Sequence, residues 1–213
     1  MLNVSQVYMT HYEPLTDRKE KIIKEIPFDL KWVQSEPHET YWNTNPQEWA
    51  AKLPSTPARP LTQAETSLAH KHIECYKDIV KNHHELSLVL EDDVILNNDF
   101  INLFNSNLQN TPIDWDLIFI GSGCGLGIPY QFQQPNKVAY KVPHPASKCT
   151  DSYCITYEAA KKILSTIIPF TFPIDFELNY QMELHHMNVY WWEPSLVVQG
   201  SQCGVFGSAI QES

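Results

Sequence analysis

The run Ser87-Leu88-Val89-Leu90 passes without a linker into Glu91-Asp92-Asp93. An apolar block this short reads as a buried strand rather than a helix. Such a strand must release its acids where something positive or wet can meet them, because adjacent carboxylates repel and raise one another's pKa. Apart from Lys81, no Lys or Arg lies within ten residues on either side. A divalent cation would neutralise the cluster, and Mg²⁺ or Mn²⁺ favours one or two carboxylates completed by phosphate oxygens. The competing reading is a helix N-cap with solvated acids, since Asp93, Asn97, Asn98 and Asp99 are all cap-forming residues. In an extended segment Glu91 and Asp93 point one way and Asp92 the other.

Similar punctuation recurs along the chain. Val4 to Met9 alternates like a strand and is followed by Thr10-His11-Tyr12; Asp17 to Ile26 is a short charged helix with Ile22, Ile23 and Ile26 on one side; Leu30 to Val33 is a second strand candidate. Pro54 to Pro60 is a loop. Thr62-Gln63-Ala64-Glu65 fits a capping box and opens the most legible helix, with Leu61, Ala64, Leu68, Cys75 and Ile79 near one face. Trp115 to Ile120 is a central strand, Ile128 to Lys148 a long loop or loose hairpin, Ser152 to Thr156 a strand, and Glu158 to Ile168 a helix. Pro173 to Met187 is a further helix, and Val189 to Trp192 and Leu196 to Val198 are the last strands. Short apolar strands alternating with helices predict an α/β fold with a largely parallel central sheet, in which ligands sit at the carboxyl ends of strands.

Composition narrows the function. With 213 residues, 43% of them hydrophobic, the chain is long enough for one domain with a real core. A formal charge of −10 argues against nucleic acid as a partner. No apolar run approaches a membrane span and the N-terminus has no signal-like block, so a cytoplasmic protein is expected. The five cysteines are scattered, odd in number and never spaced as Cys-x-x-Cys, which fits a reducing compartment without structural zinc. Gly121 to Gly127 holds four of the seven glycines. It is no dinucleotide fingerprint, because Leu126 takes a required glycine position and Pro129 follows instead of a helix; nor does Gly-Lys-Ser/Thr follow it. A mobile loop at the mouth of a cleft is the expectation.

Other candidates carry two readings each. Glu65 and His72 are two helical turns apart and could contact a ligand, or serve as capping acid and core histidine. Asp175 and Glu177 follow Pro173. Asp175 is either a general base for a hydroxyl nucleophile or a helix-capping acid whose pKa the helix N-terminus holds down. His185 and His186 are either an imidazole metal ligand or surface histidines.

Taken in order, these pieces resemble glycosyltransferase family 25, which includes bacterial lipooligosaccharide galactosyltransferases, collagen galactosyltransferases and viral enzymes. The resemblance is carried by Val7 to Ile22 with Asp17-Arg18, Leu61 to Glu65 with His72, Leu88 to Asp93 and Asp114 to Gly121. It continues through Ser152 to Thr156 with Ala159 to Leu164, Pro173-Ile174-Asp175, Pro194 to Gln199 and Ser208 to Ile210. Ala64 stands where the family has Gly, and Lys71 where it has Ser.

The resemblance implies a GT-A type, Rossmann-like nucleotide-sugar-binding domain over residues 1–213, with a donor half over about 1–125 and an acceptor half over about 126–213. It implies inverting, metal-dependent transfer of a hexose, galactose or glucose, from a UDP-sugar to a hydroxyl of a glycan, lipid-linked glycan or protein acceptor. Mn²⁺ or Mg²⁺ would sit at Asp93 with Glu91. Thr10, His11, Tyr12 and Asp92 would meet base, ribose or sugar, Arg18 would pair with phosphate, and Glu65 and His72 would support the donor. Asp175 would be the base and Glu177 the second choice, with residues 121–148 folding over the donor. Two other functions share the acidic cluster: a metal-dependent nucleotidyltransferase or phosphohydrolase, and a nucleotide-sugar-binding module without catalysis.

Overall fold

The computed structural model describes residues 1–34 and 61–207. The Pro54–Pro60 loop and the closing Ser208–Ile210 motif lie outside the described residues. The chain begins with β1 (Gln6–Thr10), α1 (Thr16–Glu25) and β2 (Lys31–Val33). The second helix, α2 (Gln63–Asn82), starts at the expected capping box. Glu65 N donates to Thr62 Oγ1 at 3.2 Å and Thr62 N to Glu65 Oε2 at 2.9 Å, satisfying two orphan donors of the first turn. His83 ends it in the left-handed conformation at φ 54°. There follow β3 (Leu86–Glu91), β4 (Val94–Leu96), α3 (Phe100–Gln109), β5 (Leu117–Phe119), β6 (Ala139–Lys141) and β7 (Ser152–Thr156). The last elements are α4 (Tyr157–Thr166), α5 (Ile174–Leu184), β8 (Val189–Trp192) and β9 (Val197–Gln199).

Seven strands form one sheet in the order β2-β1-β3-β7-β5-β8-β6, and β4 pairs with β9 in a two-stranded sheet. The pairs β1–β2, β1–β3 and β5–β8 are parallel, while β7 runs antiparallel between β3 and β5 and β6 antiparallel at the edge. Most strands therefore point one way, as expected. Strand alternation divides the core between the two faces. Tyr8, Val89, Phe119, Tyr153 and Val189 pack under α2, α4 and α5, while Val7, Met9, Leu88, Leu90, Ile118 and Trp192 pack under α1 and α3. Among the described residues no helix is long and apolar enough to cross a membrane.

Three elements depart from the sequence reading. Helix α3 has a legible apolar face in Phe100, Leu103, Phe104 and Leu108, but Asn102, Asn105, Ser106 and Asn107 are poor helix formers that hide it. The strand β4 is three residues long and exists only because β9 returns to pair with it. The segment 128–148 is less loose than expected. Ala139–Lys141 becomes an edge strand on β8, and the buried Lys148 ammonium donates to Glu193 Oε1 at 2.9 Å and Ser195 Oγ at 2.9 Å.

Candidate active site

Strands β1 and β3 are parallel neighbours whose register sets Thr10 opposite Glu91, so both deliver their next residues to the same sheet edge. That edge is where open α/β sheets bind ligands. After Glu91 the chain does not stay extended. Asp92 and Asp93 form a turn leading into β4. This corrects the expectation that Asp92 points away from its neighbours, because a turn has no two-residue alternation. All three acids line one chamber, together with Thr10, His11, Tyr12, Leu15 and Arg18 from the β1–α1 segment and Ala64, Ser67, Leu68 and Lys71 from α2. Gln199 and Ser201 close it from the C-terminal side.

The acids occupy three electrostatic states. Asp92 is fully engaged: its Oδ2 lies 2.7 Å from His11 Nδ1 and accepts from Tyr12 N at 3.3 Å, while its Oδ1 accepts from Arg18 Nη1 at 2.8 Å. Burial opposes its ionisation, but the His11 hydrogen bond and the Arg18 charge outweigh burial and hold the carboxyl below the usual range. Arg18 is thus paired with Asp92. Asp93 is the reverse case. Burial first and the Glu91 charge second push it up to about 6, against a hydrogen bond from Ser201. Its Oδ1 is buried without a partner among the described residues. Glu91 is braced from behind. Thr150 Oγ1 donates to its Oε1 at 2.7 Å, and His72 Nε2 lies 3.4 Å from the same oxygen.

Behind Glu91 runs a buried polar chain from α2 to β7. Tyr76 and Tyr153 share a hydroxyl contact of 2.7 Å, and the Tyr153 hydroxyl meets His72 Nδ1 at 2.7 Å. His72 is wholly buried and lines neither chamber. It stands between Tyr153 and Glu91.

A second chamber adjoins the first and shares Leu68, Glu91, Gln199 and Ser201 with it. Its other walls include Glu65, Cys124, Cys149, Thr150, Asp175 and Gln202. Asp93 and Asp175 therefore line adjoining chambers that have Glu91 in common. Asp175 sits in the first turn of α5, whose N-cap is Pro173, and accepts from Phe176 N at 2.9 Å. Its pKa is raised, not lowered as a capping acid's would be. Burial leads, and the Glu91 and Glu65 charges add to it, against the backbone hydrogen bonds. Cys124, in the short helical turn Gly123–Gly125, and Cys149 face each other at Sγ–Sγ 3.0 Å, and both are free thiols.

Other expected residues fall elsewhere. Glu177 is 2% exposed, with Oε2 accepting from Thr171 N and Oε1 from Gln181 Nε2; it lines neither chamber. His185 and His186 lie beyond the opposite end of α5, roughly 15 Å of helix from Asp175, and His185 Nε2 contacts Thr166 Oγ1 at 2.8 Å. Among the described residues no group of three or more His, Cys, Asp or Glu side chains is arranged to hold a metal by itself. Glu91 with Asp93, and the orphan Asp93 Oδ1, fit a two-carboxylate site of the kind that ligand oxygens complete.

The sequence reading does not single out Lys71, Thr150, Gln199 and Ser201 as site residues, yet they line the two chambers. Lys71 was visible as the fourth member of the Ala64-Ser67-Leu68-Lys71 helical stripe; the others follow no motif and are assembled by strand pairing. Burial pulls the Lys71 ammonium down, the Asp92 and Glu91 charges pull it back up, and it settles at about 8.

Human procollagen galactosyltransferase 2 is 31% identical over 114 residues, half of this chain and 17% of that protein. Xenopus laevis procollagen galactosyltransferase 1-B is 25% identical over 205 residues, 89% of this chain and 33% of that protein. The chain thus spans a third or less of the length of these curated relatives. A solved glycosyltransferase involved in glycosylation of the major capsid of PBCV-1 aligns over 97% of this chain and 95% of its own, at 15% identity and a TM-score of 0.43. The family model described as glycosyltransferase family 25 (LPS biosynthesis protein) matches residues 6–178, a stretch holding β1, the capped α2, the acidic turn and Asp175. The chain belongs to glycosyltransferase family 25.

Proposed function

We propose that the chain transfers a hexose from a UDP-sugar to a hydroxyl of a glycan, lipid-linked glycan or protein acceptor, with inversion at the anomeric carbon. One observation carries this reading: the acidic turn and Asp175 line adjoining chambers that share Glu91. A donor and an acceptor need such adjoining chambers. The relatives' names make galactose the first sugar to test.

Thr10, His11 and Tyr12 border the chamber for the nucleoside, and Asp92, locked by His11 and Arg18, holds that border in shape. Asp93 and Glu91 would hold Mn²⁺ or Mg²⁺, which when bound acts as a Lewis acid on the departing diphosphate. Asp175 accepts the proton of the attacking acceptor hydroxyl. Its raised pKa makes it a better base than an ordinary aspartate. Glu177, buried with both oxygens engaged, suits that role less well.

Incubation with UDP-hexoses, Mn²⁺ and candidate acceptors should release UDP, and Asp175→Asn should lower turnover by roughly 10²–10⁴-fold while leaving UDP affinity within about twofold. Release of pyrophosphate or inorganic phosphate instead would assign the nucleotidyltransferase or hydrolase chemistry. UDP binding with no turnover in any condition, unchanged by Asp175→Asn, would leave only a binding module.

A further inference from the structure

Two basic side chains, Arg18 and Lys71, line the chamber of the acidic turn. Arg18 is committed. It donates to Asp92 at 2.8 Å and to the Gly207 carbonyl, and its guanidinium lies over Phe206 at 5.3 Å. Lys71 is not. It is 4% exposed, its ammonium faces the Tyr12 ring at 5.5 Å, and no carboxylate of the described residues forms an ion pair with it. A buried ammonium without an anion at contact distance is costly. The cost is retained here because α2 fixes the lysine stem. Ala64, Ser67, Leu68 and Lys71 occupy one stripe of a 20-residue helix, and all four line the chamber. The stripe therefore points a cation into the cavity that the three acids of the turn also line.

We propose that Lys71 anchors the diphosphate of a nucleoside diphosphate in this chamber, so that the chain holds UDP even without a divalent cation. The inference rests on the donor reading given above. A diphosphate entering a cavity bordered by Glu91, Asp92 and Asp93 meets repulsion unless a cation is free to receive it. Asp92 already consumes Arg18, which leaves Lys71 as the available charge. A lysine ammonium is a compact charge with three rotatable donors, suited to phosphate oxygens.

The experiment is calorimetric titration of UDP and of uridine into the full chain, in EDTA and in Mn²⁺, for the wild type, Lys71→Met and Lys71→Arg. In EDTA the wild type should bind UDP, and Lys71→Met should weaken that binding about tenfold or more. Uridine affinity should change less than about twofold, since uridine lacks the group Lys71 is proposed to contact, and Lys71→Arg should restore most of the UDP affinity. Circular dichroism checks that each variant is folded, and Lys71→Gln replaces Lys71→Met if the latter is not. Wild-type UDP binding that needs Mn²⁺, or equal UDP affinity in wild type and Lys71→Met, overturns the role of Lys71 and leaves the donor reading intact. Failure of the wild type to bind UDP under either condition overturns both.

Discussion

Replacing Asp151 by Asn should stabilise the protein at neutral pH, and by an amount the structure bounds. Asp151 is wholly buried just before β7; Ser152 Oγ donates to its Oδ2 at 2.8 Å, and its Oδ1 has no partner among the described residues. Burial first, and the Glu91 and Asp93 charges after it, push the carboxyl up to about 8. The folded protein therefore holds this proton more tightly than the unfolded chain does between pH 3.8 and about 8. Stability falls as pH rises through that window, by about 1.4 kcal/mol per pH unit at most, and levels off above it. By pH 7 the accumulated loss has an upper bound of about 4 kcal/mol, and charge coupling with Glu91 and Asp93 brings the expected value to about 2–4 kcal/mol. Asn has the same shape, can accept from Ser152 and carries no charge, so it removes the slope. Urea unfolding midpoints of wild type and Asp151→Asn, measured from pH 5 to 9 in EDTA, test this. The raised Asp93 contributes to both proteins and largely cancels in their difference. The curves should diverge up to about pH 8 and run parallel beyond it. Parallel curves throughout, or a variant less stable than wild type at pH 7.5, would refute the reasoning.

Gly121→Ala attacks the same corner from the other side. Its Cβ would stand 2.0 Å from Asp151 Oδ2 and 2.5 Å from Ser152 Oγ, and the forced shift should cost about 1–3 kcal/mol in chemical denaturation. His72→Phe removes the link from Tyr153 to Glu91. It should cost about 1–3 kcal/mol and lower kcat/KM for the donor about tenfold or more, a double loss that a purely packing histidine would not produce. Thr62→Ala opens the capping box of α2, with an expected loss of about 1 kcal/mol read from the thermal midpoint and no change in UDP affinity.

Local physics made much of this molecule legible from its residues. The capping box at Thr62 is a four-residue device, so its start needed no tertiary knowledge. Ser152–Thr156 and Val189–Trp192 are strands because an apolar, β-branched or aromatic run is bounded by residues that stop it. The acidic turn was a candidate site because three adjacent carboxylates at a strand end need a positive partner or solvent. What the chain order left open was the partner of each group. Asp92 differs from Asp93 because His11 and Arg18, more than seventy residues away, hydrogen-bond only Asp92. Asp175 is raised and not lowered because folding buries it, and the nearby Glu91 and Glu65 charges add to that against its position on α5. Asp151 carried no motif at all, and the Lys71 stripe did not say what its ammonium would meet. Periodicity and capping are encoded within a few residues, so the sequence by itself determined most of the elements and the carboxyl edge where the acids emerge, though not α3, β4 or β6. A carboxylate's charge and a lysine's availability depend on desolvation and on partners distant in the chain, and those only the packed tertiary structure decided.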